Sequence, residues 1–218
     1  MKRYLTSVLI LSSLLPVFLS CGSLHHLGYR KEVAVNRVIK PVFPPDFDKS
    51  LYSVKIIFGD NVFTSLAVIK YIPEDRSFRL ALLSEAGMRL FEIEFLKDGS
   101  SQVNYTSDFM DRKAVVKKLS SDFGLLFLSG SENIVKSFSS ASVERKYVLR
   151  LKKDGLKDYY FSPDVEGPEK VSERGCVFGR TTVILNKYGD KGPREIVFTH
   201  KMLKFEISLK QIDYSGWN

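Results

Sequence analysis

The chain has 218 residues, with 33 Lys and Arg against 25 Asp and Glu, a net charge of +8 and two cysteines. Two cysteines are too few for a disulfide-stapled scaffold. The cations are interspersed with acids and form no basic stripe interleaved with aromatics, which argues against a nucleic-acid binder.

In chain order, Lys2 and Arg3 precede an apolar run from about Leu5 to Leu19. That run is short for a membrane span and has the form of a secretory signal. Leu19 and Ser20 lead into Cys21, and Gly22 and Ser23 follow. The arrangement resembles the lipobox of bacterial lipoproteins, with Phe18 where an aliphatic residue is more usual. The resemblance implies cleavage before Cys21, acylation of Cys21 and anchorage to membrane lipid, held by about 0.8 kcal/mol per buried methylene. Residues 1–20 are then a signal peptide. The remaining 198 residues keep 31 cations against 25 acids, because Lys2 and Arg3 leave with the signal. With Cys21 given to lipid, Cys176 stands alone and reads as a small apolar residue in or near a strand.

Residues 21–50 read as a tether. Gly22 to Gly28 is short and flexible, and Pro41, Pro44 and Pro45 favour extended backbone. His25 and His26 sit side by side in that tether and make a poor metal site. From residue 51 to 215 the pattern is that of one domain. Tyr52 to Phe58 is apolar and β-branched, and Gly59, Asp60 and Asn61 signal a turn. Val62 to Ile72 is a long strand with Phe63, Ala67, Ile69 and Tyr71 on one face and Leu66, Val68 and Ile72 on the other. Pro73 to Arg76 turns the chain into a strand over Phe78 to Leu83. After a loop at 84–87, Met88 to Leu96 alternates Phe91, Ile93 and Phe95 against Glu92 and Glu94, a strand with one wet face.

A strand holding Gln102 to Tyr105 leads into a helix capped by Thr106 or Ser107, with Asp108 in its first turn. Phe109, Val116, Leu119 and Phe123 share its apolar face, and Gly124 ends it. Leu125 to Leu128 reads as a buried continuation, and 130–143 has no regular period. Strands resume over Lys146 to Lys152 and briefly over Tyr159 to Phe161. Residues 162–174, with two prolines and many charges, read as a loop. Thr181 to Tyr188, Ile196 to Phe198 and Leu203 to Leu209 are strands, the last alternating cleanly. His200, between two of them, reads as a solvated turn residue. The fold class is therefore mainly β with inserted helix. A twisted antiparallel meander of eight or more strands must curl, and a helix plugging the concave face buries both apolar surfaces.

The run from Leu80 to Phe95, the helix after Tyr105 and the closing strands Thr182 to Leu185 and Lys201 to Lys210 are similar to LolB-like outer-membrane lipoproteins. The resemblance covers roughly residues 50–213. It implies an open, curved antiparallel half-barrel (LolA/LolB-like) plugged by helix, whose hydrophobic cavity accepts acyl chains or lipoproteins. The membrane-facing loop would be 84–87. There Ala86 stands where the family has an inserting leucine and Glu85 where it has proline, so the loop is a poor membrane wedge. Gly22 after the cysteine, by resemblance to enteric sorting, implies a periplasm-facing outer-membrane location.

The candidate cavity residues, chosen for face and bulk, are Phe63, Tyr71, Phe78, Leu80, Phe91, Ile93, Phe95, Phe205 and Ile207. The surplus apolar area fits either an open cavity or a filled second layer. No nucleophile elbow, paired-cysteine motif, zinc-helix motif or phosphate loop is present, so the reading is non-catalytic, with no cofactor. Glu92 and Glu94 are two residues apart on the wet face, which accounts for them without acid–base work. Three functions stay open in order: a lipid or lipoprotein binder, an adaptor lipoprotein with an envelope protein partner, and a hydrolase with an unrecognised site.

Overall fold

The computed structural model describes residues 29–32, 41–108, 110–111, 113–127, 134–140, 147–152, 156–161, 167–175, 179–201 and 204–213. The expected signal peptide, Cys21, His25, His26 and Cys176 lie outside them. The first strands are β1 (Tyr29–Glu32), β2 (Lys49–Phe58), β3 (Asn61–Ile72), β4 (Ser77–Leu83), β5 (Arg89–Phe95) and β6 (Ser101–Thr106). Helix α1 (Lys113–Phe123) follows. The remaining strands are β7 (Ile134–Ser140), β8 (Tyr147–Lys152), β9 (Leu156–Phe161), β10 (Pro168–Gly175), β11 (Gly179–Gly189), β12 (Gly192–His200) and β13 (Phe205–Gln211).

All thirteen strands join one sheet in the order β1-β7-β8-β9-β10-β11-β12-β13-β2-β3-β4-β5-β6. Every pairing is antiparallel. Two meanders, β2–β6 and β7–β13, meet where β13 pairs with β2, so the chain closes its own middle and leaves β1 and β6 as edges. The mainly β, open half-barrel carrying a helix is thus the observed architecture.

The register explains the concave core. Ile69 lies opposite Leu80, Leu80 opposite Ile93, and Leu82 opposite Phe91. On the other side Leu209 lies opposite Val54, Ile196 opposite Leu209, and Val183 opposite Phe198. Successive side chains alternate faces, so one phase choice per strand puts an unbroken apolar stripe inside. Against it pack Leu119 and Phe123 of α1 and the residues after it, Leu125, Leu126 and Phe127. The extended segment before β2 supplies Val42, Phe43 and Phe47. Phe127 is the hub: its ring centroid is 4.6 Å from Phe95, 4.7 Å from Phe78 and 5.8 Å from Phe43. Phe43 also closes the barrel end at the β11–β12 turn. Gly192 has φ +96° there, and a Cβ on it would stand 2.9 Å from the Phe43 ring. Glycine alone meets both demands.

Three expectations are corrected. The helix begins at Lys113, and Asp108 lies in a turn before it. The Ser107 amide donates to the Leu90 carbonyl (2.9 Å) and so prolongs the β5–β6 ladder, while Met110 N–H turns back to the Ser107 carbonyl. Among the described residues the buried Ser107 hydroxyl has no partner and caps nothing. Second, the irregular stretch 130–143 contains β7, held by ladders to β1 and β8. Third, the charged run read as a loop contains β10, an interior strand between β9 and β11. Gly124 does end α1: its amide makes the last bond four residues back, and Leu125 and Leu126 bond three back, a tightening typical of helix ends.

Candidate functional site

The candidate cavity residues share the concave face, but the structure fills most of the space they bound. Leu80, Phe91, Ile93 and Ile207 are wholly buried, and Phe95 nearly so. Tyr71, Phe78 and Phe205 are half-buried against the same core. Phe63 stands apart, 45% exposed near the β2–β3 turn, with Phe58 56% and Val62 55% exposed beside it. The loop after β4 reaches the same rim, where Thr64 donates to Glu85 at 2.5 Å. Ala86 is exposed there, yet the large apolar side chain of that loop is Met88.

Open space survives where the concave face meets β6 and β9. A cleft of about 480 Å³ is lined by Phe95 at the end of β5, Leu96 and Gly99 beyond it, and Ser101 and Val103 of β6. Its floor is α1, through Lys117, Ser120 and Ser121, with Gly124 and Phe127 following. Its far wall is Lys157 and Tyr159 of β9 and Glu173 of β10. Six strands separate β10 from β5 in the sheet order. That both line one cleft is the direct mark of the sheet's curl. One end is apolar, formed by Phe95, Val103 and Phe127, and the other carries the charges.

The charged wall belongs to a row that crosses four strands on the concave face. Lys157 lies opposite Glu173, Glu173 opposite Thr181, and Thr181 opposite His200. The row meets the polar side of α1. Ser121 donates to Glu173 at 3.3 Å, and Lys118 Nζ reaches Thr181 Oγ1 at 3.0 Å and Asp122 Oδ1 at 2.6 Å. Asp122 is fully buried, and its Oδ2 lies 3.0 Å from His200 Nε2.

His200 is therefore a buried latch residue, and the expectation of a solvated turn is overturned. Its Nδ1 lies 2.9 Å from the Phe205 carbonyl oxygen, which can only accept. The two ring nitrogens thus bridge the start of β13 and the buried carboxylate of the helix. The phase of β12 was the available signal: Ile196 and Phe198 point inward, and His200 is two residues on. Lys118 and Asp122, four apart on one helix, were the other signal.

Tyr159 is buried beside the row. Burial, and next to it the Glu173 carboxylate, pushes its phenol well above the ordinary range, so it stays protonated. Glu92 and Glu94 lie on the convex face. Arg89 bonds Glu92 at 2.9 Å and Arg79 bonds Glu94 at 3.1 Å. The Ser77 hydroxyl first, and Arg79 and Asn104 after it, hold the Glu94 carboxyl below its ordinary value against opposing burial. Both acids are spent on partners. Among the described residues no cluster of His, Cys, Asp and Glu is placed to hold a metal, and no helix is long and apolar enough to cross a membrane.

No protein-family model matches the sequence, and no curated protein matches it. Among solved structures it is similar to a LolA superfamily protein from Nitrosomonas europaea, at 12% identity and TM-score 0.49, covering 81% of this chain and 86% of that one. It is similar to a domain assigned to an outer membrane lipoprotein-sorting protein from Vibrio parahaemolyticus, at 13% identity and TM-score 0.46, covering 80% and 88%. A DUF1329 family protein from Desulfovibrio piger matches at 9% identity and TM-score 0.42, covering 78% and 85%. All three TM-scores lie below 0.5, so no residue role is carried over from these proteins.

Proposed function

We propose that this chain is a non-catalytic, lipid-anchored envelope protein that holds acyl chains, free or carried by a lipoprotein, on the open side of its half-barrel. The observation that carries the reading is the cleft between the two limbs. Its volume of about 480 Å³ falls within the ~300–1,000 Å³ usual for small-ligand sites. Its apolar end, made by Phe95, Val103 and Phe127, is continuous with the aromatic core. A chain laid there covers apolar surface that the edge strand β6 leaves exposed, at about 25 cal/mol per Å² removed from water.

The N-terminal sequence supports the setting. Residues 1–20 are a signal, Cys21 is acylated, the residues between Cys21 and β1 tether a domain whose core already includes Val42, Phe43 and Phe47, and Gly22 favours a periplasm-facing outer-membrane site. The original cavity set then divides by role. Phe95 contacts the ligand, while Phe63 at the rim, with Ala86 in the adjacent loop, faces the membrane or a partner. Tyr71, Phe78, Leu80, Phe91, Ile93, Phe205 and Ile207 form the wall behind the plug. The rim also favours a second reading, an adaptor lipoprotein, because Phe58, Val62, Phe63 and Met88 present apolar surface at one end. Photolabelling the membrane-anchored protein with a diazirine-bearing fatty acid separates the two. Adducts on 95–103 and 124–127 are expected for the binder, and adducts confined to 58–63 and 88 would contradict it.

A further inference from the structure

We propose that the cleft takes a single-chain amphiphile with an anionic headgroup, held between Lys117 and Lys157; this rests on the acyl-chain reading above and adds the ligand's polar half. The two lysines come from different elements, Lys117 from the α1 floor and Lys157 from the β9 wall, and line one cleft. Among the described residues neither has an ion-pair or hydrogen-bond partner. Lys118, one residue along from Lys117, is by contrast committed to Asp122 and Thr181. Glu173 is the only acid among the described lining residues, and its carboxylate accepts from Ser121. Among those residues two cations stand against one acid, a surplus of +1.

A cleft with low-dielectric walls and one sign of surplus charge concentrates the opposite ion. Lysine offers three donors on a flexible stem, so the pair can close on a carboxylate or a phosphate. Tyr159, kept a phenol by burial, adds a neutral lining group that does not oppose an anion. The chain's direction follows from the layout. With the headgroup at Lys117 and Lys157, the acyl chain runs along α1 toward Gly124, Phe127, Phe95 and Val103. A free anion uses the charged end alone, and a neutral amphiphile the apolar end alone. An anionic amphiphile matches both.

The test uses the full-length protein in neutral-lipid nanodiscs and three diazirine amphiphiles of equal chain length, headed by a phosphate, a carboxylate and an uncharged maltoside. Inorganic phosphate serves as competitor. Half-saturating concentrations for labelling of 95–127 are expected to be at least tenfold lower for both anionic probes than for the maltoside. The preferred anion names the headgroup source, phospholipid-derived or fatty acid. K117Q/K157Q should erase that tenfold advantage, and K117R/K157R should keep it, which separates charge from misfolding. Equal labelling by all three probes, unchanged in K117Q/K157Q, would overturn the headgroup assignment and leave the acyl-chain reading standing. No labelling by any probe would overturn both. Full competition by millimolar inorganic phosphate would identify a free-anion site and overturn the amphiphile.

Discussion

The two limbs of the half-barrel bury their concave faces by different chemistry. Over β2–β5 the helix and the 42–47 segment meet a wall of Phe, Leu and Ile, and the space is filled by stacked rings. Over β9–β12 the same helix packs Phe123 on Phe198 and adds directed polar bonds to Glu173, Thr181 and His200. Apolar packing is non-directional and scales with area, so the first limb supplies stability. Buried polar bonds are worth little net but cost much when one partner is lost, so the second limb fixes the angle and height of α1. The cleft persists where the limbs face each other, because a helix positioned by Lys118, Ser121 and Asp122 stops short of the β6 edge.

Substitutions can break this contrast. Phe127→Ala removes the ring that joins Phe43, Phe78 and Phe95, and should lower the free energy of unfolding by about 4 kcal/mol, as buried Phe truncations do. Chemical denaturation followed by tyrosine fluorescence would measure it. Asp122→Ala strands Lys118 and His200 and should cost about 3 kcal/mol. Its signature is local: hydrogen exchange should speed up in 116–123 well before it does in β4 and β5. Equal acceleration in both regions would erase the distinction between the limbs.

Gly192→Ala forces a side chain into a positive-φ site against Phe43, and should cost about 2 kcal/mol, read as a lowered midpoint of thermal unfolding. The convex face sets the small end of the scale. Ser77→Ala removes the main group holding the Glu94 carboxyl below its ordinary value of 4.5, for about 1 kcal/mol at pH 7. The sign follows from linkage. A depressed folded pKa contributes stability above the unfolded value and loses it as pH falls through the folded one. The gap between wild type and Ser77→Ala should therefore be full at neutral pH and narrow below about pH 4. A gap that widens in acid would contradict the assignment.

What the sequence disclosed tracks these differences. Strands β5 and β13 were legible because each alternates bulky apolar and polar residues, the period that a half-buried strand imposes, and β2 to β4 because apolar, β-branched runs stand between turn signals. Strand β10 was hidden because Pro168 to Gly175 places one large apolar residue, Val171, among charges. Its stability comes from ladders on both sides, which composition does not encode. The start of α1 was misplaced because Thr106 and Ser107 look like caps, yet the Ser107 amide is already paired with β5. His200 was misjudged as a turn residue because its partner Asp122 lies 78 residues away. The candidate residues fall in one strand phase, but which of them meet open space depends on closure across six strands. Lys117 and Lys157 belong to that same long-range geometry.

The most direct measurement is native mass spectrometry, with organic extraction, of the chain from Gly22 purified without detergent. An acyl-bearing species that copurifies at one per chain, and is released on extraction, is the predicted result. A clean apo mass that takes up no added fatty acid, lysolipid or acylated peptide would contradict lipid binding and leave the exposed rim, and a protein partner, as the basis of function.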